Sequence, residues 1–434
     1  MRQARTQAMR QKAIVQFVVS AIAALGAGSA TASGFQLLEQ NASGLGNAYA
    51  GSAAVAENAS TIFFNPAGMT RLGTNEVSLG VTPVRTSFKF RNQGSSAGVL
   101  GTSGDGGDAG GTAFVPNAYY SRGITKDVFV GIGVSVPFGL KTEYDEPWVG
   151  GAQAQLFDVR TININPSIAF RVNEKLSVVL GVNYMHMDAE YQRQAAVSSG
   201  ATSTTKIALK ADGNAVGWNA GLLFNPSESM RLGLSYRGEV EQKLRGTLAI
   251  SGALAGANAA LTTGDAKADL TLPDTFIFSV VQDLTSSWQM LGDISLTRWS
   301  SIKDVNIVRT SGPLSGATVQ TLEADFRDTW RVALGATNRL NDSWKLKFGV
   351  AYDQSPVRDE GTRLVSLPDN DRVWLSLGTQ WAPTKTSAVD IGASYLIVGD
   401  SDIDNNQTSA GRGRVTGSYK GRVIILGAQY SMSF

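Results

Sequence analysis

Arginines at alternating spacing are the side chains best suited to do chemistry in this sequence. In Phe326-Arg327-Asp328-Thr329-Trp330-Arg331-Val332, an extended backbone sends Phe326, Asp328, Trp330 and Val332 to one face and Arg327 and Arg331 to the other. The same rule groups Met185, Met187, Tyr191 and Arg193. A guanidinium grips a carboxylate in fork geometry, and the two thioethers supply adaptable apolar surface. The chemistry on offer is non-covalent: holding an acid head group, costly to bury without a cation, beside an apolar tail. Asp325 adjoins Arg327, so an ordinary internal charge network is the competing reading.

Covalent and metal chemistry find little support. The 434 residues include one His and no Cys, which removes a Cys nucleophile, a disulfide scaffold and a His- or Cys-rich metal site. His186 has no G-x-S-x-G elbow to work with, so no enzyme is expected. No cofactor is expected either. Gly104-Asp105-Gly106-Gly107-Asp108 is a single degenerate copy of calcium-loop spacing and reads as a flexible outer loop. With 38 Lys plus Arg against 36 Asp plus Glu and no basic patch, a nucleic-acid partner is excluded.

The elements that must position these residues are strands. Arg2, Arg5, Arg10 and Lys12, an apolar run over 13–28 and Ala30-Thr31-Ala32 make residues 1–32 a secretory signal. Beyond it, large apolar residues occupy every second position of Trp344–Asp353. Ile162, Ile164, Ile168 and Phe170 repeat that pattern, as do Ile424, Leu426, Tyr430, Met432 and the terminal Phe434. Segments of about ten residues with this dyad repeat are the signature of a transmembrane barrel. Short turns near 125–127, 173–175, 225–228, 283–286, 341–343 and 383–385 alternate with long Gly-, Ser- and Asp-rich stretches. These fall near 91–112, 139–155, 192–213, 239–266, 300–321, 354–370 and 400–417 and divide residues 75–434 into fourteen strands. The expected fold is all-β: a 14-stranded antiparallel transmembrane β-barrel crossing the bacterial outer membrane. Trp288, Trp344 and Trp381 flank the short turns and fit an interfacial girdle. Residues 33–74 lack strand alternation, are rich in small residues and are too short for a domain. Their economical place is inside the barrel, as a plug.

Three blocks in this leading segment carry a specific resemblance: Gly34-Phe35-Gln36-Leu37, Ala42-Ser43-Gly44-Leu45-Gly46-Asn47-Ala48-Tyr49-Ala50-Gly51 and Asn65-Pro66-Ala67-Gly68-Met69. With Leu272-Pro273-Asp274-Thr275, Phe326–Arg331, Asp353-Gln354-Ser355-Pro356-Val357 and Leu367–Arg372, they make the mature chain resemble the FadL family of outer-membrane channels. That resemblance implies a monomeric barrel with an N-terminal hatch. It also implies passive uptake of long-chain fatty acids or similar hydrophobic molecules, with outer-membrane lipid and lipopolysaccharide as surroundings. Outer loops would capture the cargo, an apolar lumenal pocket would receive it, and a hatch rearrangement would release it sideways through the wall. Family matching places a basic pocket residue near Arg327 or Arg193, Phe35 in the pocket wall and a third-strand kink near Val136-Pro137-Phe138-Gly139. Pro cannot donate to a ladder and Gly weakens a strand, so Pro137, Phe138 and Gly139 suit a lateral opening, though a simple strand end reads the same. Asn65, Pro66 and Ala67 fix a tight turn, serving hatch folding or hatch gating. The apolar stretch from Leu248-Ala249-Ile250 to Ala259-Ala260-Leu261 is the candidate capture surface. Uptake of monoaromatic hydrocarbons is the alternative within the family; a general porin or an adhesin are alternatives outside it.

Overall fold

The computed structural model of the chain describes residues 34–195 and 205–434. The leader 1–32 lies outside them. The described residues form fourteen antiparallel staves, several broken mid-way. In chain order these are β1 Asn75–Asn92, β2 Thr112–Gly123, β3 Val128–Ser135 with Gly139–Glu143, β4 Leu156–Arg171, and β5 Leu176–Ala195. They continue with β6 Thr205–Ser227, β7 Met230–Arg237 with Val240–Gly252, β8 Gly264–Leu272 with Thr275–Asp283, and β9 Trp288–Thr297 with Asp304–Arg309. The last are β10 Thr318–Glu323 with Thr329–Arg339, β11 Trp344–Asp353, β12 Arg372–Thr384, β13 Ser387–Val398 with Ser401–Asn406, and β14 Arg414–Ser433. Each stave pairs with the next, and β14 returns to β1 through Leu79 opposite Tyr430, so the sheet closes and leaves no edge.

Closure is what the alternation requires. Ile162, Ile164, Ile168 and Phe170 on β4 and Leu180, Val182 and Tyr184 on β5 are exposed, while Asn163, Asn165 and Asn183 between them are buried. The apolar face is a lipid face. Trp288, Trp344 and Trp381 all point outward, with Trp344 and Trp381 stacked at 6.1 Å.

The loops differ from expectation. β5 and β6 stay paired as far as Ala195 opposite Thr205, and β7 pairs β8 as far as Leu248 opposite Gly264. The stretches 192–213, 239–266 and 300–321 therefore hold much strand. Ladder that rises above the bilayer needs no apolar outer face, so its sequence looks like loop.

Residues 34–74 bind the inner faces of staves all round the ring. Two short helices, α1 Ala42–Leu45 and α2 Thr61–Phe64, and a 3-10 turn Pro66–Arg71 give the segment its local shape. Asn47 Nδ2 donates to the carbonyls of Ala336 and Phe348, and Asn65 Nδ2 to that of Leu222. Ala42 N donates to the Gln429 side chain, and Lys347 Nζ reaches the Ser43 carbonyl at 2.9 Å. Backbone meets backbone at Gly349 and Gly233, where a Cβ would lie 2.1 Å from Asn47 C and from Ala53 O. Only glycine permits that approach.

The lipid face carries a direct test. Leu180→Arg puts a charge on a position 61% exposed near the middle of the apolar band. It should destabilise the barrel by about 2–4 kcal/mol in denaturant titrations with lipid vesicles, whereas Leu180→Tyr should cost far less.

Candidate functional site

The site begins where the wall fails. β3 stops at Ser135 and resumes at Gly139. Its first piece pairs with β2 only from Gly123 opposite Phe129 to Ala118 opposite Val134, and its second piece pairs with β4 alone. Contact with the β2 side returns only at Glu143, whose N donates to the Ala109 carbonyl. Residues 35–40 supply the partners missing in between. Leu37 N donates to the Pro137 carbonyl and Gly139 N to the Phe35 carbonyl, both at 2.8 Å. Gln40 brackets Val136, its Nε2 donating to the Val136 carbonyl at 2.6 Å and its Oε1 accepting from Val136 N at 3.2 Å. Tyr119 on β2 then donates to the Gln40 carbonyl.

An apolar cavity lies directly above this junction, on the loop side. Phe35, Leu140, Met187, Leu244, Ile307, Phe326 and Leu367 are among its walls, and only Tyr191 and Ser366 bring hydroxyls. Phe35 is the hub of an aromatic cluster, 5.8 Å from Phe138 and 5.0 Å from Trp299, with Trp299 5.9 Å from Phe326. One residue thus serves both features: the Phe35 ring lines the cavity while its carbonyl holds the broken strand.

Several candidate residues meet here and others do not. Phe35, Met187 and Phe138 belong to one buried apolar cluster; Met185 joins that cluster in the wall without lining the cavity. Arg193 stands near the outer end of β5, two residues from Tyr191; its Nε has no hydrogen-bond partner, and Arg412 is the other charge close to it. Arg327 lies elsewhere. Asp325 adopts a positive φ of 38°, which breaks the alternation, so Phe326 turns into the cavity instead of sharing a face with Trp330. Arg327 is thereby left half-exposed, its Nε donating to the Ser355 carbonyl and its Nη2 3.6 Å from Asp371. Arg331, its expected companion, does point inward and faces Asp293 at 3.6 Å.

Asn65, Pro66 and Ala67 form the expected turn: Asn65 Oδ1 accepts from Ala67 N and Pro66 opens the 3-10 turn. Ala67 belongs to a different apolar cluster from Phe35. In the candidate capture stretch, Leu248 and Ile250 are buried, and the exposed tip is mostly Ala and Gly. His186 faces outward between Asn214 and Asp188. Asp108 spends its carboxylate on Ser87 Oγ, Phe88 N and Gly110 N. Sequence reading missed Leu140, Leu244 and Ile307 of the cavity wall and Trp299 of the aromatic cluster, which come from three staves and carry no local signal.

Residues 23–434 match the family model described as "Outer membrane protein transport protein (OMPP1/FadL/TodX)". The chain belongs to this family. It is 33% identical over 410 residues to outer membrane protein P1 of Haemophilus influenzae, covering 86% of this chain and 87% of that one. It is 32% identical over 426 residues to the long-chain fatty acid transport protein of Escherichia coli K12, covering 89% and 93%. Among solved structures, a Pseudomonas aeruginosa FadL homologue superposes with a TM-score of 0.84 at 23% identity, covering 92% of this chain and all of that one. The Pseudomonas putida toluene transporter TodX does so at 0.69 and 17%, covering 93% and 100%. The fold is thus that of the FadL family, and the chain is an outer-membrane protein.

Glu39, between the cavity segment and α1, is fully buried. Burial raises its carboxyl to about 7, against a smaller opposing pull from Arg372. An acid whose folded pKa is raised stabilises the packed state below its ordinary value, and that stability is lost as pH rises through 7. A spin label at Leu38 should therefore gain mobility between pH 5 and pH 8, and Glu39→Gln should abolish the pH dependence.

Proposed function

We propose that this FadL-family chain takes up long-chain fatty acids and similar hydrophobic molecules passively across the outer membrane, as a monomer bathed in lipid and lipopolysaccharide. The observation that carries the reading is the double role of Phe35, whose ring lines an apolar cavity and whose carbonyl closes the wall break at Gly139. Residues 33–74 act as a hatch, and no chemistry is done on the cargo. Cargo enters from the outer loops and settles its tail in the cavity, gaining ~0.8 kcal/mol per buried methylene. Movement of residues 34–40 then frees the gap beside Pro137, Phe138 and Gly139 and lets the cargo leave sideways. Phe35 and Met187 line the tail site, and Met185 packs in the wall beside it.

An acid cargo is favoured over a neutral aromatic by Arg193, a cation near the cavity with no carboxylate near it among the described residues. The cation holds the head group while the tail lies below. Arg327, bound to Ser355 and Asp371, serves better to fix the loop that carries Pro356. Asn65, Pro66 and Ala67 hold the hatch to β6, through Asn65 against Gly221 and Leu222, rather than touch the cargo. A general porin is disfavoured because residues 34–74 occupy the inner faces of the staves.

Gly139→Arg tests the exit. A long side chain at the break should cut oleate uptake by whole cells to near the level of a deletion strain. Heat-modifiable migration of the purified protein should show that the barrel still assembles. Normal uptake by an assembled Gly139→Arg barrel would refute lateral release at this site.

A further inference from the structure

Below Phe35, on the turn side, a second cavity opens. On β7 to β10 the apolar cavity takes Leu244, Leu270, Ile307 and Leu322 from the outer pieces of the staves. The second takes Ser235, Ile277, Ser295 and Arg331 from the inner pieces. Residues 35–38 form the partition: Phe35 lines the upper space, Gln36 and Leu38 the lower. Gln36 is fixed there by Thr275 and Thr297, each at 3.2 Å. Nine of the thirteen residues that line the lower space are polar or charged, so it offers charged groups that the upper one lacks, although much of its surface is still apolar.

Of the two cations on this lower space, Arg237 is the one without an ion pair among the described residues. It donates to Asn183 Oδ1 and, from Nη2, to the Phe63 carbonyl at 2.7 Å, with its guanidinium 4.7 Å from the centre of the Phe63 ring. Arg331 on the same cavity has Asp293, and Asp353 puts a carboxylate on its wall; Arg237 forms no ion pair among the described residues. A guanidinium presents five N–H donors, and a cation out of bulk water without a counter-charge is costly. The Asn183 that seats it belongs to a ladder of buried amides. Asn163 Nδ2 donates to Asn183 Oδ1 at 3.2 Å, and Asn183 Nδ2 to Asn219 Oδ1 at 3.0 Å. Asn163 lies opposite Ser135, the last residue before the break in β3. Asn163 Oδ1, Asn165 Oδ1 and Asn219 Nδ2 are buried without hydrogen-bond partners.

We propose that the lower cavity is a second station for a carboxylate: Arg237 takes the acid head group after it passes Phe35, and the asparagine ladder leads it to the wall gap. This rests on the uptake reading above and adds a charge filter to it. Neutral molecules of the same length cross without using Arg237.

The test is uptake by vesicles containing the full-length protein, with oleate and oleyl alcohol as matched probes. Arg237→Met should lower oleate uptake about ten-fold, as expected for losing hydrogen bonds to a charged group, and leave oleyl alcohol within about two-fold; Arg237→Lys should keep most oleate uptake. Equal losses for both probes would reduce Arg237 to an anchor for Phe63 and overturn the proposal, as would no loss for either. If Arg237→Met fails to assemble, Asn183→Asp keeps the arginine and gives it a competing carboxylate. The same selective loss is expected there, and unchanged oleate uptake would overturn the proposal. Wild-type protein that takes up neither probe would instead sink the uptake reading itself, and this one with it.

Discussion

Backbone polar groups inside a bilayer must be paired within the protein, because hydrocarbon offers them nothing. The seams in this wall meet that demand with ladder, but the one between β2 and β3 loses its ladder beyond Ala118 opposite Val134. There the chain's own leading residues stand in: Phe35, Leu37 and Gln40 pair with Gly139, Pro137 and Val136. Wall and N-terminal segment are therefore one hydrogen-bonded object at this point. The segment cannot leave without exposing unpaired groups in the wall, and the wall cannot close without it. Pro137 makes the arrangement stable in sequence, since a residue with no N–H cannot complete an ordinary ladder.

The rest of the leading segment is held far more firmly. Lys347 lies between Glu57 and Asp390 at 2.9 and 3.1 Å and also caps the Ser43 carbonyl. Removing one partner of such a buried set costs about 3–5 kcal/mol. Asn47 and Asn65 clasp wall carbonyls, and the glycines facing Asn47 and Ala53 let the segment lie within touching distance of the wall. Residues beyond about 41 are thus anchored by ions, amides and close packing. Residues 34–40 carry no ion pair among the described residues; they are held by hydrogen bonds to the broken strand, by others linking Gly34 with Asp369 and Gln36 with Thr275 and Thr297, and by the Phe35 ring. The boundary between them falls next to Glu39, the one carboxyl in this stretch that burial holds near neutrality.

Much of the cylinder was legible because lipid imposes a strict rule on every second residue. Trp344–Asp353 and the run ending at Phe434 obey it without exception, and the girdle tryptophans follow from the same constraint. Composition marked Pro137 and Gly139 as places where a ladder fails, and left open whether the strand is interrupted there or simply ends. What escaped were features set by distant contacts. The outer halves of β7 to β10 rise into water, where an outward apolar face is not needed, so 239–266 and 300–321 looked like loop. Phe326 defied alternation because one left-handed residue, Asp325, re-aimed it. The cavity draws on staves far apart in sequence, and Arg237 draws its meaning from Asn183 and Phe63, neither of them a near neighbour.

The closeness of cavity and gap sets how cargo would open its own exit. The cavity holds about 70 Å³ of free space, well under the roughly 150 Å³ of a cavity that accommodates benzene. An acyl tail can enter only by displacing lining side chains, and the aromatic cluster centred on Phe35 is the part joined to a segment that carries no ion pair among the described residues. Displacing Phe35 pulls on the Gly139 to Phe35 hydrogen bond, and through it on Leu37 and Gln40. Each such bond contributes ~0.5–1.5 kcal/mol net, while ten buried methylenes return about 8 kcal/mol. A ligand shifts an equilibrium by no more than its differential affinity for the two states. On the proposed reading a long apolar tail would supply enough to tip residues 34–40 out of the gap, whereas the remainder is held in addition by the buried ion set, side-chain amides and close packing. In that account the hatch would yield at its leading edge only, and the opening would lie in the wall.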